Sequence, residues 1–135
     1  MENTITVREH HGVTILDAQG SLTLGRGTRM IRDAIESLMW EGQQRRVVLN
    51  LEKVTYVDSA TVGELIAALR DVEAAGGQLK LANVGSRVLD ILVVAKLHLV
   101  FEVYEDEVAA VRSFMKRGVV QIRREWLPPS EAYVG

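Results

Sequence analysis

The order of apolar and polar positions along this chain of 135 residues switches repeatedly between a period of two and a helical period. Thr4-Ile5-Thr6-Val7-Arg8 alternates as a half-buried strand does, and Val13-Thr14-Ile15-Leu16-Asp17-Ala18 follows it after the turn-like His10-His11-Gly12. The pair predicts an opening hairpin. From residue 28 to residue 40 the period lengthens, so that Met30, Ile31, Ile35, Leu38 and Met39 fall on one helical face, with Gly42 beyond it. Val47, Val48, Leu49 and Leu51 form a compact run of the kind found in a sheet covered on both faces, and Val54, Tyr56 and Val57 prolong its apolar character. Val62, Leu65, Ile66, Leu69 and Val72 then paint the apolar face of a second helix, which stops at Gly76-Gly77.

Residues 78–84 alternate again as a strand, and Ser86 caps a third helix running to about Lys96 with Val88, Leu89, Ile91, Leu92 and Val93. Part of the apolar set Leu97, Leu99, Val100, Phe101 and Val103 forms a last short strand. Glu105 and Asp106 open a fourth helix, closed by Lys116 and Arg117 in keeping with the helix dipole. Strands alternating with helices predict an α/β domain: a mixed, mostly parallel sheet with an N-terminal hairpin, right-handed crossovers and about four helices. A single domain is expected over residues 1–118, followed by a tail at 119–135 that Pro128-Pro129 keeps out of regular structure. Within it Val119, Val120 and Ile122 suit an added strand, a contact with a second copy in a homodimer, or a partly ordered end.

Composition narrows the chemistry. There is no cysteine, so thiol nucleophiles, disulfides and thiolate metal sites are excluded. Residues 1–11 carry charges where a secretory signal has its apolar core, and no apolar run is long enough for a bilayer. A soluble, cytoplasmic protein with no direct membrane insertion is expected. The formal net charge of −2, scattered bases and 5% aromatic content give neither the footprint nor the stacking platform of a nucleic-acid binder.

The glycine-rich run Gly20 to Gly27 invites comparison with a phosphate loop, yet Arg26 stands where the gripping lysine belongs and Gly27 where the magnesium hydroxyl belongs. Met30 likewise occupies the third glycine of a dinucleotide pattern. A turn and helix start is the reading that remains. His10, His11 and His98 lack metal-ligand spacing, and VDSAT around Ser59 lacks the glycines of a nucleophile elbow. No catalytic residue, metal site or cofactor is predicted. Trp40, Trp126 and Tyr104 stay unassigned.

Asp58 and Ser59 stand at the junction of the third strand and the second helix, and either residue type caps a helix by accepting its free N–H groups. Around them the words VVLNLEKVTYVDSATVGELIAAL, GGQLKLANVGSRVLDIL and LVFEVYEDEVAAV occur in register. Together they resemble the STAS domain, most closely its stand-alone bacterial members, the anti-sigma factor antagonists, over about residues 4–117. The resemblance implies the STAS fold and a phosphoacceptor serine at Ser59, with Asp58 shaping its approach. It also implies the partners: when unphosphorylated, such a protein binds an anti-sigma factor that is itself a serine kinase, and a serine phosphatase restores binding after phosphorylation ends it. The antagonist is then a substrate and ligand, with no enzymatic activity of its own.

The chain departs from the family pattern in three places. Ala60 and Thr61 follow Ser59 where Ser-Gly is common, which adds Thr61 as a lesser phosphoacceptor; Ser21 and Thr23 stand where many antagonists carry carboxylates; Lys96 replaces a glycine. The expected partner surface comprises Asp58, Ala60, Thr61, Glu64, Ala67, Ala68, Ser21 and Thr23. A STAS subunit that never switches, in a stressosome-like assembly or a lipid-transport ATPase complex, is the alternative. Phosphorylation would add about −1.5 to −2 charges at a helix N-terminus, which favours anions, so the fold should survive it. Repulsion from Asp58 at around one to a few kcal/mol would work in the other direction, and a partner offering a carboxylate or an apolar patch would be repelled.

Overall fold

The computed structural model describes residues 3–40 and 45–115. Five strands, β1 (Thr4–His10), β2 (Val13–Leu22), β3 (Arg46–Val57), β4 (Gln78–Ala82) and β5 (Val103–Tyr104), form one sheet in sequence order. β1 and β2 are antiparallel and the remaining pairs parallel, as the hairpin and the strand-helix alternation predict. The hairpin closes on His11 and Gly12, at φ 53° and 78°. Two successive positive φ values match the twist of the flanking strands.

Among the described residues there are also four helices, α1 (Arg26–Trp40), α2 (Ser59–Ala74), α3 (Ser86–Val94) and α4 (Glu107–Ser113), and a 3-10 turn at Leu97–Leu99. α1, α2 and α3 cover one face of the sheet, where Ile31, Ile35, Leu65, Leu69, Val72, Val88 and Leu92 pack on Leu16, Leu49 and Leu81. α4 covers part of the other face, setting Ala110 and Val111 against Val13, Ile15, Val48 and Ala82. Lys80 of β4 is buried beneath it, donating to Ser113 Oγ at 2.6 Å and lying 4.1 Å from the centre of the Phe114 ring. Burial pushes the Lys80 ammonium below its usual value, and Glu102, 3.3 Å away, offsets only part of that.

β2 and β3 run further than their periodicity suggests. Two bulges in their pairing, between Asp17 and Gln19 and between Gly20 and Ser21, stretch the spacing of buried residues on β3 from two to three at Leu51, Val54 and Val57. An extra residue in one strand bends it and sharpens its twist. The bend carries the end of β3 back to Leu22, whose carbonyl accepts from the Asp58 amide at 3.3 Å. Close packing holds the next element there as well, because a β-carbon on Gly27 would come within 2.9 Å of Leu22 Cα.

Some expected boundaries are corrected. α1 starts at Arg26, so the glycine-rich run splits into a strand end and a short turn. Gly85, not Ser86, is the N-cap of α3, with no side-chain bond to its first turn. Lys96 sits at φ 61°, the left-handed conformation that explains a glycine preference at that site and costs a side-chain-bearing residue about 1–2 kcal/mol. Gly42, Lys116, Arg117 and the tail residues Val119, Val120, Ile122, Trp126, Pro128 and Pro129 lie outside the described residues.

Candidate functional site

The carboxyl end of β3 delivers Asp58 to the start of α2 in an extended conformation, φ −99° and ψ 178°. It is the N-cap. One carboxylate oxygen accepts from the Thr61 amide at 2.9 Å and the other from the Leu24 amide, also at 2.9 Å, so a single side chain joins the helix start to the turn after β2. Burial pushes the Asp58 carboxyl up, but the amide bonds from Leu24 and Thr61 outweigh it and hold the group below its usual value. Asp58 is therefore a fixed anion at neutral pH.

Ser59 is the first residue of α2 and is exposed. No hydrogen bond engages its hydroxyl among the described residues, in contrast to the hydroxyl two positions on. Thr61 is fully buried, and its Oγ1 donates to the Leu22 carbonyl at 2.7 Å. This corrects the expectation that Thr61 is a second phosphoacceptor and part of the partner surface: its hydroxyl is a brace between α2 and β2.

The same bond rotates the buried face of α2. Thr61, Leu65, Ala68, Leu69 and Val72 face the core, while Val62 and Ile66 are only half-buried at its margin. Ala68, at 2% exposure, is thereby removed from the expected docking surface. Its small side chain lets the helix lie close to the sheet. Ala67 is exposed, Ala60 half-buried, and Glu64 accepts from Arg32 of α1 at 2.7 Å, which ties it to its own domain. Ser21 is exposed and Thr23 half-buried in the segment that Asp58 grips through Leu24, so both lie on the same side of the molecule as Ser59.

Beside Ser59 the structure shows an apolar depression that periodicity did not reveal. Tyr56, Val57, Val62, Ile91, Val94 and Ala95 line a cleft of about 350 Å³ between the start of α2 and α3, with Asp58 and Asp90 at its edge. Tyr56 is 42% and Val94 84% exposed. The signal available in the sequence was Val94 itself, an apolar residue outside the buried stripe of Val88 and Leu92.

The arrangement contains, among the described residues, no group of three or more His, Asp or Glu side chains that could hold a metal. It presents a hydroxyl at a helix start, next to an anion and an apolar surface. Among the described residues no helix is long and apolar enough to cross a membrane.

Known proteins share this fold. The anti-sigma F factor antagonist of Paenibacillus polymyxa is 24% identical over 111 residues, covering 82% of this chain and 94% of that protein. An anti-sigma factor antagonist from Mycobacterium paratuberculosis superposes with a TM-score of 0.73 at 18% identity, over 85% of this chain and 96% of that one. The Bacillus cell fate determinant SpoIIAA in its phosphorylated form superposes with a TM-score of 0.62 at 20% identity, over 82% and 99% of the two chains. The family model of the STAS domain matches residues 4–110. With five strands, four helices and the match extending from β1 into α4, the chain belongs to the STAS domain family.

Proposed function

We propose that this protein is an anti-sigma factor antagonist of a partner-switching pathway, a regulatory module and kinase substrate with no catalysis of its own. Unphosphorylated, it binds an anti-sigma factor that is a serine kinase; phosphorylation of Ser59 releases it, and a serine phosphatase resets it. One observation carries the reading: Ser59 stands exposed and unengaged on the first turn of α2, while the neighbouring Thr61 hydroxyl is buried and bonded.

The physics suits a switch that leaves the fold alone. A phosphate dianion at this position would meet the unpaired first-turn amides and positive dipole end of α2. Fixed Asp58 would repel it, and closing a partner over the adjacent apolar cleft would strip its water. The desolvation falls on the complex alone, whereas the repulsion from Asp58 is present in the free protein as well and offsets part of the helix-end attraction.

The test uses the serine-kinase anti-sigma factors of the source organism, each purified and mixed with this protein and ATP. Wild type is expected to gain the mass of one phosphate, Ser59→Ala none, and Ser59→Asp to lose binding in calorimetry. Phosphorylation of Ser59→Ala at the wild-type rate would overturn the assignment.

A further inference from the structure

At the opposite end of the helical layer from Ser59, the last turns of α1 and α2 leave a groove of about 510 Å³ lined by Ile35, Glu36, Met39, Trp40, Asp71, Ala74 and Ala75. Trp40 is 87% exposed on its edge. A large aromatic left in water at the mouth of an apolar groove is a binding feature until something covers it. The groove also has a charge preference. Glu36 and Asp71 stand on its rim. Arg45 already donates to the Ala75 carbonyl at the end of α2, so the attraction for a further cation beside an apolar side chain comes from these two carboxylates and the carbonyl end of α1.

The chain carries a segment of that chemistry. Residues 123–127 read Arg-Arg-Glu-Trp-Leu, two guanidinium groups next to an indole and a leucine. The described chain ends on the opposite face of the sheet, just after α4. α4 starts near the carboxyl end of β4, where Asp106 shares a cleft with Asn83 and with Asn50 of the neighbouring β3. It runs back toward the amino ends of β3 and β4, as far as Ser113, which meets Lys80 in the middle of β4. The groove lies at those amino ends, since Ala75 directly precedes the Gly76-Gly77 turn into β4. Eight residues beyond Met115 reach at most about 26 Å, more than twice the 10 Å diameter of a helix. That is enough to pass from one face of the sheet to the other.

We propose that the α1–α2 groove is the docking site of the chain's own segment 123–127, with Trp126 against Trp40 and the arginines facing Glu36 and Asp71. The contact is independent of Ser59 and would stand whether or not the switch operates. It closes the apolar end of the helical layer and leaves the cleft beside Ser59 as the surface open to a partner.

The absence of cysteine makes the test direct. Full-length Ala74→Cys/Glu125→Cys is oxidised mildly at micromolar concentration and compared with Thr55→Cys/Glu125→Cys, whose first cysteine is exposed on β3 far from the groove. The groove pair is expected to form an intramolecular disulfide at least tenfold faster than the control pair. Adding Arg123→Glu and Arg124→Glu should remove that advantage. Equal rates for the two pairs would overturn the proposal, and so would a disulfide formed between chains, which assigns the groove to a second copy.

Discussion

α2 and α4 begin alike: Asp58 accepts from the Thr61 amide and Asp106 from the Ala109 amide, at 2.9 and 2.8 Å. The two helices diverge at the very next residue. After Asp106 comes Glu107, whose carboxylate is taken up by Arg8 and His10 of β1, so the first turn of α4 is spent on its own domain. After Asp58 comes Ser59, whose hydroxyl is left outside, while Asp58 and Thr61 together brace the turn against Leu22 and Leu24. One cap secures a helix. The other also holds an exposed hydroxyl steady at the surface without engaging it.

Removing each cap sharpens the contrast most. Asp58→Ala loses the helix cap and the link to Leu24, and urea denaturation should show a loss of about 2 kcal/mol. Asp106→Ala loses the cap alone, about 1 kcal/mol. Equal losses would mean that the Leu24 bond contributes nothing and the two starts are equivalent.

Thr61→Val tests the brace at nearly constant volume. It leaves the Leu22 carbonyl with only the longer bond from the Asp58 amide, and a loss of about 1 kcal/mol is expected by the same measurement. Phosphate incorporation at Ser59 should be unchanged.

The smallest effect belongs to α4. Glu107→Gln weakens an exposed pair with Arg8 and should cost about 0.5 kcal/mol at low salt, vanishing as ionic strength rises. Its pH dependence has a definite sign. The Arg8 hydrogen bond, joined by His10, holds Glu107 below its ordinary value against the opposing effect of burial. Its contribution is therefore full above the unfolded carboxylate value of about 4 and is lost as pH falls through the lower folded value. Glu107→Gln should unfold with a shallower dependence on acid than wild type, and Asp58→Asn should show the same tendency.

The strand and helix order was legible because each element buries one face and its apolar period announces which kind it is. The face of α2 was not. Val62 and Ile66 looked like core positions, but the polar Thr61 took a core position because the Leu22 carbonyl, 39 residues earlier, satisfies its hydroxyl. A one-dimensional pattern cannot show such a bond. The same bond decided which of two neighbouring hydroxyls is accessible, and the rotation it imposes removed Ala68 from the surface. Ser59 itself was legible, through the Asp-Ser pair at a strand-helix junction and the words around it. The apolar cleft beside it was not, because Tyr56 follows a bulge and Val94 comes from a helix remote in sequence.

Among the described residues the two faces of the sheet are unequally filled: an extensive cluster joins α1, α2 and α3 to one face, and a small one of seven buried residues joins α4 to the other. Local opening favours the thinner layer. In native-state hydrogen exchange the amides of α4 should therefore trade with solvent through a partial unfolding that leaves those of α2 protected. The helix carrying Ser59 would then belong to the slowest-opening unit, keeping its hydroxyl in register while the far side breathes.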